Sequence, residues 1–288
     1  MSPLSTQTTP RLGHSTAGTS KARSRTARRA PQSQHKLVLG AGGIVGFLCL
    51  WEVVSRSGLV NADYLPPASA VLLRLAADLG TLPFWTAIGE TLYAWILGLA
   101  IAIAAAVIAG FGIGSSAFLK KFSHSTIEFL RPIPSVALIP LAVLLFGAQL
   151  ESTLLLVVYA AFWPVLIQVL YGIADVDKVA NDTAKSFGLG LAARIRYVVW
   201  PTALPYLITG IRLSAAVGLI LAVTAELIIG SPGLGREIAV AQAGGAITEM
   251  YALVLATGLL GVVINSGLRL AERKALAWHI STRTDGAE

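Results

Sequence analysis

Long apolar segments separated by short polar ones dominate the hydrophobic pattern of this chain. Six of them approach or exceed the length of about 20 residues that a helix needs to cross a bilayer. They cover about residues 37–54, 88–113, 127–147, 152–173, 206–229 and 251–270. The segments are rich in Leu, Ala, Val and Gly and lack period-2 alternation, which argues against a transmembrane β-barrel. The pattern predicts an all-α integral membrane protein with six transmembrane helices.

Two polar intervals predict structure outside the bilayer. Residues 70–79 fit an amphipathic helix capped by Ser69, and this segment is too polar to span. Residues 179–207 form the longest polar interval between two apolar segments in the second half of the chain. Gly188 and Gly190 divide this interval, which predicts a helix–turn–helix because glycine accepts a left-handed turn. Pro201 and Pro205 predict the start of the next membrane helix.

Composition supports the membrane class and excludes several kinds of chemistry. Of the 288 residues, 55% are hydrophobic and only 13% are charged, against about 25% charged in soluble domains. The lone Cys49 excludes an intramolecular disulfide and a cysteine metal site. The four histidines are scattered, and no nucleophile–base set is present, so we expect no catalytic and no metal site. The P-loop pattern G-x-x-x-x-G-K-[ST] is absent from the sequence, so we expect no nucleotide binding by this chain.

The net charge of +7 is concentrated at the N-terminus. Residues 1–36 carry seven basic residues, no acidic residue and few apolar ones, so we expect a disordered basic arm. A cytoplasmic arm that orients the first helix, an organellar transit peptide and a twin-arginine export signal at Arg28-Arg29 remain open interpretations. The rest of the chain is neutral, so the charge is no indication of nucleic-acid binding.

Basic residues in the connections predict the orientation of the spans. With the N-terminus inside, the outer connections carry only Arg56, Arg74 and Arg236. The inner connections and the C-terminal segment carry three times as many basic residues: Lys120, Lys121, Lys178, Lys185, Arg194, Arg196, Arg273, Lys274 and Arg283. Both termini and the interval 179–207 are therefore predicted to be cytoplasmic.

Two membrane segments contain residues that are costly in hydrocarbon. Pro132, Pro134 and Pro140 in the third span interrupt backbone hydrogen bonding, which is tolerated where other protein or a water-filled cavity supplies partners. Glu226 near the outer end of the fifth span is a candidate for the pathway or its gate, because membrane carboxylates are rare unless functional. A kinked packing helix and a capping role for the turn at 230–235 are the structural alternatives.

The interval 179–207 resembles the cytoplasmic EAA loop of permease subunits in bacterial ATP-binding-cassette (ABC) importers. That pattern has E-A-A, three residues, Gly, nine residues, then I-x-L-P. Here Asp182, Thr183 and Ala184 are followed at the same spacing by Gly188 and then by Val198-Val199-Trp200-Pro201. The spacing matches throughout, whereas Glu is replaced by Asp, Ala by Thr, Ile by Val and Leu by Trp.

Further segments extend the resemblance over most of the chain. They are LPP with SAV at 65–71, RPIPSVALIPLAVLLFG at 131–147, FWPVL at 162–166, AEL and GLG within 225–235, and RxxERKALAWH at 269–279. Together they resemble the nitrate/sulfonate/taurine/bicarbonate branch of type I importer permeases. The resemblance implies a homodimer of permeases, two ATPase subunits that carry ATP and Mg²⁺, and an extracytoplasmic substrate-binding protein. It also implies that a short helix at 182–188 docks into a groove of the ATPase.

The sequence thus predicts a permease subunit in the bacterial inner membrane, with type I ABC importer permease fold. Residues 1–36 form the basic arm, 37–275 the six-span domain with its coupling loop at 174–205, and 276–288 a cytoplasmic tail. The expected solute is small and anionic or polar. An ion-gradient-driven secondary transporter is the alternative, and a membrane scaffold without transport is a third hypothesis. Scarce membrane carboxylates and the absence of an obvious inverted repeat argue against the secondary transporter.

Overall fold

The computed structural model describes residues 32–61 and 63–275, with side chains described from residue 39 onward. Residues 1–31 of the predicted arm at 1–36 and the predicted tail at 276–288 lie outside the described residues, whereas residues 32–36 belong to the first helix. The chain divides into two compact units, residues 1–47 and 48–288. In the first unit, the described residues 32–47 are helical, and they form the N-terminal part of helix α1, Gln32–Arg56.

The described part of the second unit is helical apart from its connections. After the end of α1 come the helices α2 Ala68–Asp78, α3 Leu82–Gly114, α4 Ala117–Leu130, α5 Ile139–Phe146, α6 Leu150–Ala174, α7 Lys178–Ser186, α8 Leu191–Arg194, α9 Trp200–Ile229, α10 Leu234–Ala243 and α11 Ile247–Ala275. A 3₁₀ turn, Ser135–Leu138, precedes α5, and a π-helical turn, Ile195–Val199, joins α8 to α9.

Five continuous helices are long and apolar enough to cross a membrane. These are Leu39–Arg56, Leu82–Gly114, Leu150–Ala174, Leu191–Ile229 and Ile247–Ala275. The predicted third span is different, because Ala117–Leu130 and Ser135–Phe146 are bent by 82° at a short break. The described chain therefore has six spans only if this bent pair counts as one.

The break in the third span follows from two of its three prolines. Pro132 and Pro134 lie between α4 and the 3₁₀ turn, where their missing N–H groups and fixed φ angles end the helix. Pro140 was predicted to interrupt the helix, but it lies in the first turn of α5, where no intrahelical N–H bond is lost. The Tyr159 hydroxyl donates a 2.7 Å hydrogen bond to the Leu130 carbonyl and so satisfies the last turn of α4.

Helices α3, α6 and α9 form the central bundle, and small residues bring them together. A Cβ on Gly98 would lie 2.7 Å from Val157 Cγ1, and one on Gly172 would lie 2.7 Å from the Ala203 Cα. Such separations exclude a larger side chain, so α6 packs against the backbones of α3 and α9. Across the bundle, the indole N–H of Trp95 donates to the Ala215 carbonyl at 2.9 Å.

A second core covers the end of the bundle that is predicted to face outward. It contains buried residues of α2, α3, α10 and α11, among them Val71, Phe84, Leu234 and Leu253. Ser69 does not cap α2 as predicted, because it lies inside the helix after Pro67. Instead, the Glu52 carboxylate at the end of α1 accepts from the Ser69 N–H at 2.9 Å and from its hydroxyl at 2.8 Å. A carboxylate from a neighbouring helix thus supplies the N-terminal cap.

Candidate functional site

The short helix α7, Lys178–Ser186, overlaps the helix that the family resemblance implied at 182–188 and begins four residues before it. The Asp177 side chain caps it by accepting from the Val179 N–H at 2.9 Å. Asp182 pairs with Lys185 at 2.7 Å on the exposed surface. This ammonium group, first as a hydrogen-bond donor and then as a nearby charge, lowers the pKa of the Asp182 carboxyl below its ordinary value. Asp182 therefore stays ionised at neutral pH.

Gly188 ends α7 in the left-handed conformation, with φ of +76°. Its N–H donates to the Lys185 carbonyl at 2.9 Å, and the Leu189 N–H donates to the Ala184 carbonyl at 3.0 Å. This pair of hydrogen bonds is a Schellman C-cap, in which glycine avoids the Cβ penalty. The Thr183 carbonyl accepts from Phe187 at 3.0 Å. The predicted glycine turn is therefore present, and Gly188 rather than Gly190 makes it.

Pro201 lies in the first turn of α9, as the sequence predicted, whereas Pro205 lies inside the helix. The helical course begins earlier than predicted, because one helix runs from Leu191 to Ile229, with the π-helical turn Ile195–Val199 before Pro201. Proline lacks the N–H that would bond four residues back, and its ring crowds that carbonyl, which favours a local widening of the helix. The Thr202 hydroxyl donates to the Val198 carbonyl at 2.9 Å and so satisfies one acceptor at this turn.

The surface of α7 and its turn exposes apolar side chains. Val179 is 72% exposed and Phe187 is 81% exposed, whereas Ala184 is buried against the rest of the chain. A cleft of about 200 Å³ lies behind this turn and is lined by residues of α3, α6 and α8 together with Asn181. The helix therefore lies at one end of the bundle, near α3, α6 and α8, and exposes apolar and charged groups on the surface.

The broken third span borders a larger groove. It has a volume of about 810 Å³ and lies between α4 and α6, with Lys120, Arg131 and Pro132 among its lining residues. Glu128 also lines this groove and pairs with His124 Nδ1 at 3.3 Å. Pro134 and Pro140 do not line it, so the structure does not bring the three predicted pathway prolines together in one groove.

Glu226 is fully buried where α3, α9 and α10 meet. Its Oε2 accepts from the Thr91 hydroxyl at 2.8 Å and from the Gly235 N–H at 3.0 Å. The Thr91 oxygen in turn accepts from the Leu234 N–H at 2.9 Å. The second carboxylate oxygen, Oε1, is buried and has no partner in the described chain. These bonds hold the start of α10 against α3 and α9, and the assignment of Glu226 to a gate stays a prediction.

Two polar residues of the membrane helices are not among the sequence-predicted site residues. Thr91 is one, because nothing in a single sequence signals a contact between positions 91 and 226. Arg212 is the other, and it lies inside the fifth predicted span, where a charged residue is itself a signal of function. In residues 32–61 and 63–275, no group of three or more His, Cys, Asp or Glu is placed to hold a metal ion.

Five continuous apolar helices, a bent helical pair and a surface helix at the end of the bundle define a multi-pass membrane protein of the transport permease class. The chain belongs to the family of binding-protein-dependent transport system inner membrane components, whose model matches residues 98–275. It is therefore the transmembrane permease subunit of an ABC importer system.

Curated relatives cover most of this chain. The taurine transport system permease protein TauC of Escherichia coli (strain K12) is 30% identical over 249 residues, which are 85% of this chain and 90% of TauC. The putative aliphatic sulfonates transport permease protein SsuC of Bacillus subtilis (strain 168) is 31% identical, over 81% of this chain and 85% of SsuC. The bicarbonate transport system permease protein CmpB of Synechococcus elongatus is 27% identical, over 80% of this chain and 86% of CmpB.

Solved structures show the same fold at low sequence identity. A chain of an amino acid ABC transporter crystallised with histidines matches with a TM-score of 0.57 and 22% identity, over 67% of this chain and 94% of that chain. A chain of the inward-facing MetNI methionine ABC transporter matches with a TM-score of 0.56 and 16% identity, over 68% of this chain and 95% of that chain. The predicted type I ABC importer permease fold is confirmed.

Proposed function

We propose that this permease imports a small anionic or polar solute, such as a sulfonate, taurine, nitrate or bicarbonate, as a homodimer with two ATPase subunits. A separate binding protein delivers the solute. The names of three relatives, which refer to taurine, aliphatic sulfonates and bicarbonate, support this solute class. The chain itself binds no cofactor, and ATP with Mg²⁺ belongs to the partner ATPase.

The observation that carries the proposal is the geometry of α7 and its turn. A short helix with a fixed C-cap at Gly188 exposes Val179 and Phe187 beside the Asp182–Lys185 pair. Exposed apolar side chains on a rigid helix, with a charged rim, suit insertion into a groove of another protein. Asp182, Thr183, Ala184, Gly188, Val198 and Pro201 form the proposed coupling loop.

We assign the loop and both termini to the cytoplasm of a bacterial cell and the protein to the inner membrane. The basic connections support this orientation. In the same scheme, residues 1–36 are a basic cytoplasmic arm, 37–275 the permease domain with the loop at 174–205, and 276–288 a cytoplasmic tail.

ATP binding closes the two ATPases, and this closure draws the two coupling loops of the dimer together. Helix α7 is joined through the turn at Gly188 to the continuous helix Leu191–Ile229. A displacement of α7 is therefore passed to a membrane-crossing element, which is the change needed to alternate access. The proposed inner part of the pathway comprises the break at Pro132 and Pro134 and the groove between α4 and α6 that this break borders. Pro140 and Glu226 remain candidates for the pathway or its gate.

Uptake into proteoliposomes tests the proposal. The permease is reconstituted with its ATPase and binding protein, and uptake of radiolabelled taurine and bicarbonate is measured with ATP, with a non-hydrolysable analogue, and with an imposed proton or sodium gradient alone. We expect uptake with ATP only. Uptake driven by the ion gradient without ATP would instead identify a secondary transporter.

A further inference from the structure

Helices α9 and α11 enclose a second groove that contains an arginine in the membrane segment. The groove has a volume of about 600 Å³, and most of its lining residues are small or apolar. Arg212 lies at its inner end, and Asn265 lies on the facing side of α11. The Asn265 side chain makes no hydrogen bond within residues 32–61 and 63–275. The groove thus combines one cationic group and one amide with an apolar wall.

The guanidinium group of Arg212 is only partly paired. One nitrogen, Nη1, donates to Glu272 Oε2 at 3.1 Å, and the other donors have no partner in the part of the chain that the structure describes. Its side chain is 45% exposed, and Arg212 is among the residues that line this groove. An arginine carries five N–H donors in a planar fork, and the fork fits two oxygens of one anion. A charged side chain inside a membrane segment is costly unless it is paired, so the remaining N–H donors of Arg212 require further acceptors.

Other polar groups of the groove do not supply those acceptors. The Thr224 and Thr257 hydroxyls donate to carbonyls of their own helices, Ile220 and Val254, each at 2.7 Å. Both threonines lie toward the opposite end of the groove from Arg212. Asn265 is two helical turns from Glu272 on the same face of α11, so its amide lies outward of the Arg212–Glu272 pair.

We propose that Arg212 and Asn265 form a subsite for a small oxyanion (a sulfonate, carboxylate or bicarbonate group) in the α9–α11 groove. In the anion-bound state, the Arg212 guanidinium leaves Glu272 and turns outward along the groove, where its fork binds two oxygens of the anion and the Asn265 amide donates to a third. Glu272 occupies one donor of Arg212 in the present structure and competes with the incoming anion. The identification of this anion with the transported solute rests on the proposed function, whereas anion binding itself does not.

The test uses charged thiol reagents on the full-length permease in neutral phosphatidylcholine nanodiscs. Cys49 is replaced by Ser, and Ala216 in the groove is replaced by Cys. Rates of modification are compared for anionic sulfonatoethyl methanethiosulfonate and cationic trimethylammonioethyl methanethiosulfonate. We expect Arg212→Gln to lower the anionic-to-cationic rate ratio by about tenfold or more. Glu272→Gln should raise it. Millimolar methanesulfonate should slow modification only while Arg212 is present.

Two controls and two lipid compositions complete the design. A Cys in place of Thr257, about 12 Å farther outward than Asn265 along α11, should respond weakly to Arg212→Gln. A Cys in place of Ser186 on α7 should not respond. Nanodiscs with phosphatidylglycerol separate the two sources of an oxyanion. Protection by this lipid without protection by methanesulfonate would assign the subsite to a headgroup phosphate and overturn the proposal.

Further outcomes bear on the two proposals separately. An unchanged rate ratio after Arg212→Gln would overturn the subsite, and so would an Ala216→Cys thiol that neither reagent reaches. In the uptake assay, Arg212→Gln should raise the KM for a transported anion more than Arg212→Lys does. Wild-type permease without ATP-driven anion uptake would contradict the proposed function but leave the reagent result intact.

Discussion

The hydroxyl of Thr91 on α3 and the carboxylate of Glu226 on α9 are joined by a buried hydrogen bond of 2.8 Å. Thr91 also accepts from the Leu234 N–H, and Glu226 accepts from the Gly235 N–H. Two side chains thus satisfy two of the first N–H groups of α10, which Gly233 leaves without a side-chain cap. The pair therefore fixes α10 to the membrane bundle.

Glu226→Gln should preserve these hydrogen bonds to α10 better than Glu226→Ala. The Gln oxygen can still accept from Thr91 and Gly235, whereas Ala leaves both donors buried and unpaired, at about 1–3 kcal/mol for each. We expect thermal unfolding in detergent to occur at clearly lower temperature for Ala than for Gln. If Glu226 also serves the gate, Glu226→Gln should lower uptake while dimer assembly stays intact. Glu90→Gln at an exposed position of α3 is the matched control, and normal uptake by Glu226→Gln would leave Glu226 with the structural role alone.

Gly233→Ala, at the start of α10, should disrupt the same hydrogen bonds. Gly233 has φ of +146°, and an added Cβ would meet the Glu226 carboxylate. We expect lower thermal stability and reduced uptake, because the start of α10 is displaced. Gly89→Ala on α3 is the control, since a Cβ there meets no atom within 4 Å. The double variant Gly233→Ala/Glu226→Ala should lose less than the sum of the single variants, and simple additivity would contradict a direct contact.

Gly188→Val should impair coupling, whereas Gly190→Val should not. A Cβ at either position meets nothing within 4 Å, but only Gly188 has a positive φ. A β-branched residue there costs about 1–2 kcal/mol or more. We expect Gly188→Val to insert normally but to lose ATPase association or uptake in the reconstituted assembly. Gly188→Asn should recover part of the activity, since Asn tolerates the left-handed region.

An exposed-charge control separates the shape of the turn from its charge. Asp182→Asn removes the pair with Lys185 on the surface, and we expect uptake within about twofold of wild type. If Gly188→Val transports like wild type, the loop is an ordinary connector and the coupling proposal fails.

Cysteine reporters should confirm the predicted orientation. In the Cys49→Ser background, Ser186→Cys should react only with reagent on the cytoplasmic side. The outer reporter belongs at the exposed Arg236 rather than at Ser231, because Ser231 is buried and its hydroxyl lies 2.7 Å from that of Thr153. Arg236→Cys should react only from outside. Reversed labelling would refute the cytoplasmic position of α7.

The purified permease should neither bind nor hydrolyse ATP without a partner. The chain lacks the P-loop sequence that would hold the phosphates. Equilibrium binding of radiolabelled ATP and phosphate release are measured for the permease alone and for the complex with its ATPase. Micromolar ATP affinity and turnover by the permease alone would contradict this prediction. The control is a Walker-lysine variant of the partner ATPase, which should abolish activity in the complex.

The sequence predicted those features that depend on local patterns. Apolar length located the five continuous spans, and Gly188 placed the surface turn, because each is a property of adjacent residues. The bend at Pro132 and Pro134 was foreseen as an irregularity, but its angle depends on packing against α6. The π-helical turn before Pro201 was missed because helix propensity does not distinguish hydrogen bonds to the fourth and fifth preceding residues.

The chemistry of the sites was less predictable because it joins distant positions. Glu226 was recognised as a costly membrane carboxylate, yet its partner Thr91 is a common residue on another helix. Arg212 is an equally costly membrane residue, and its partner Glu272 lies sixty residues away on α11. Single-sequence patterns do not specify which faces of two long helices meet.

The helix from Leu191 to Ile229 has 39 residues and is therefore about 58 Å long, nearly twice the roughly 30 Å hydrocarbon thickness. It begins beside the turn at Gly188, passes Arg212 and ends near Glu226. The π-helical turn Ile195–Val199 lies near its inner end, and such turns are points where helices bend. If α7 couples to an ATPase as proposed, a displacement of α7 is divided between bending at the π-helical turn and moving the rest of the helix. A stiffer π-helical turn should increase the share of this displacement that reaches the far end of the helix, near Glu226.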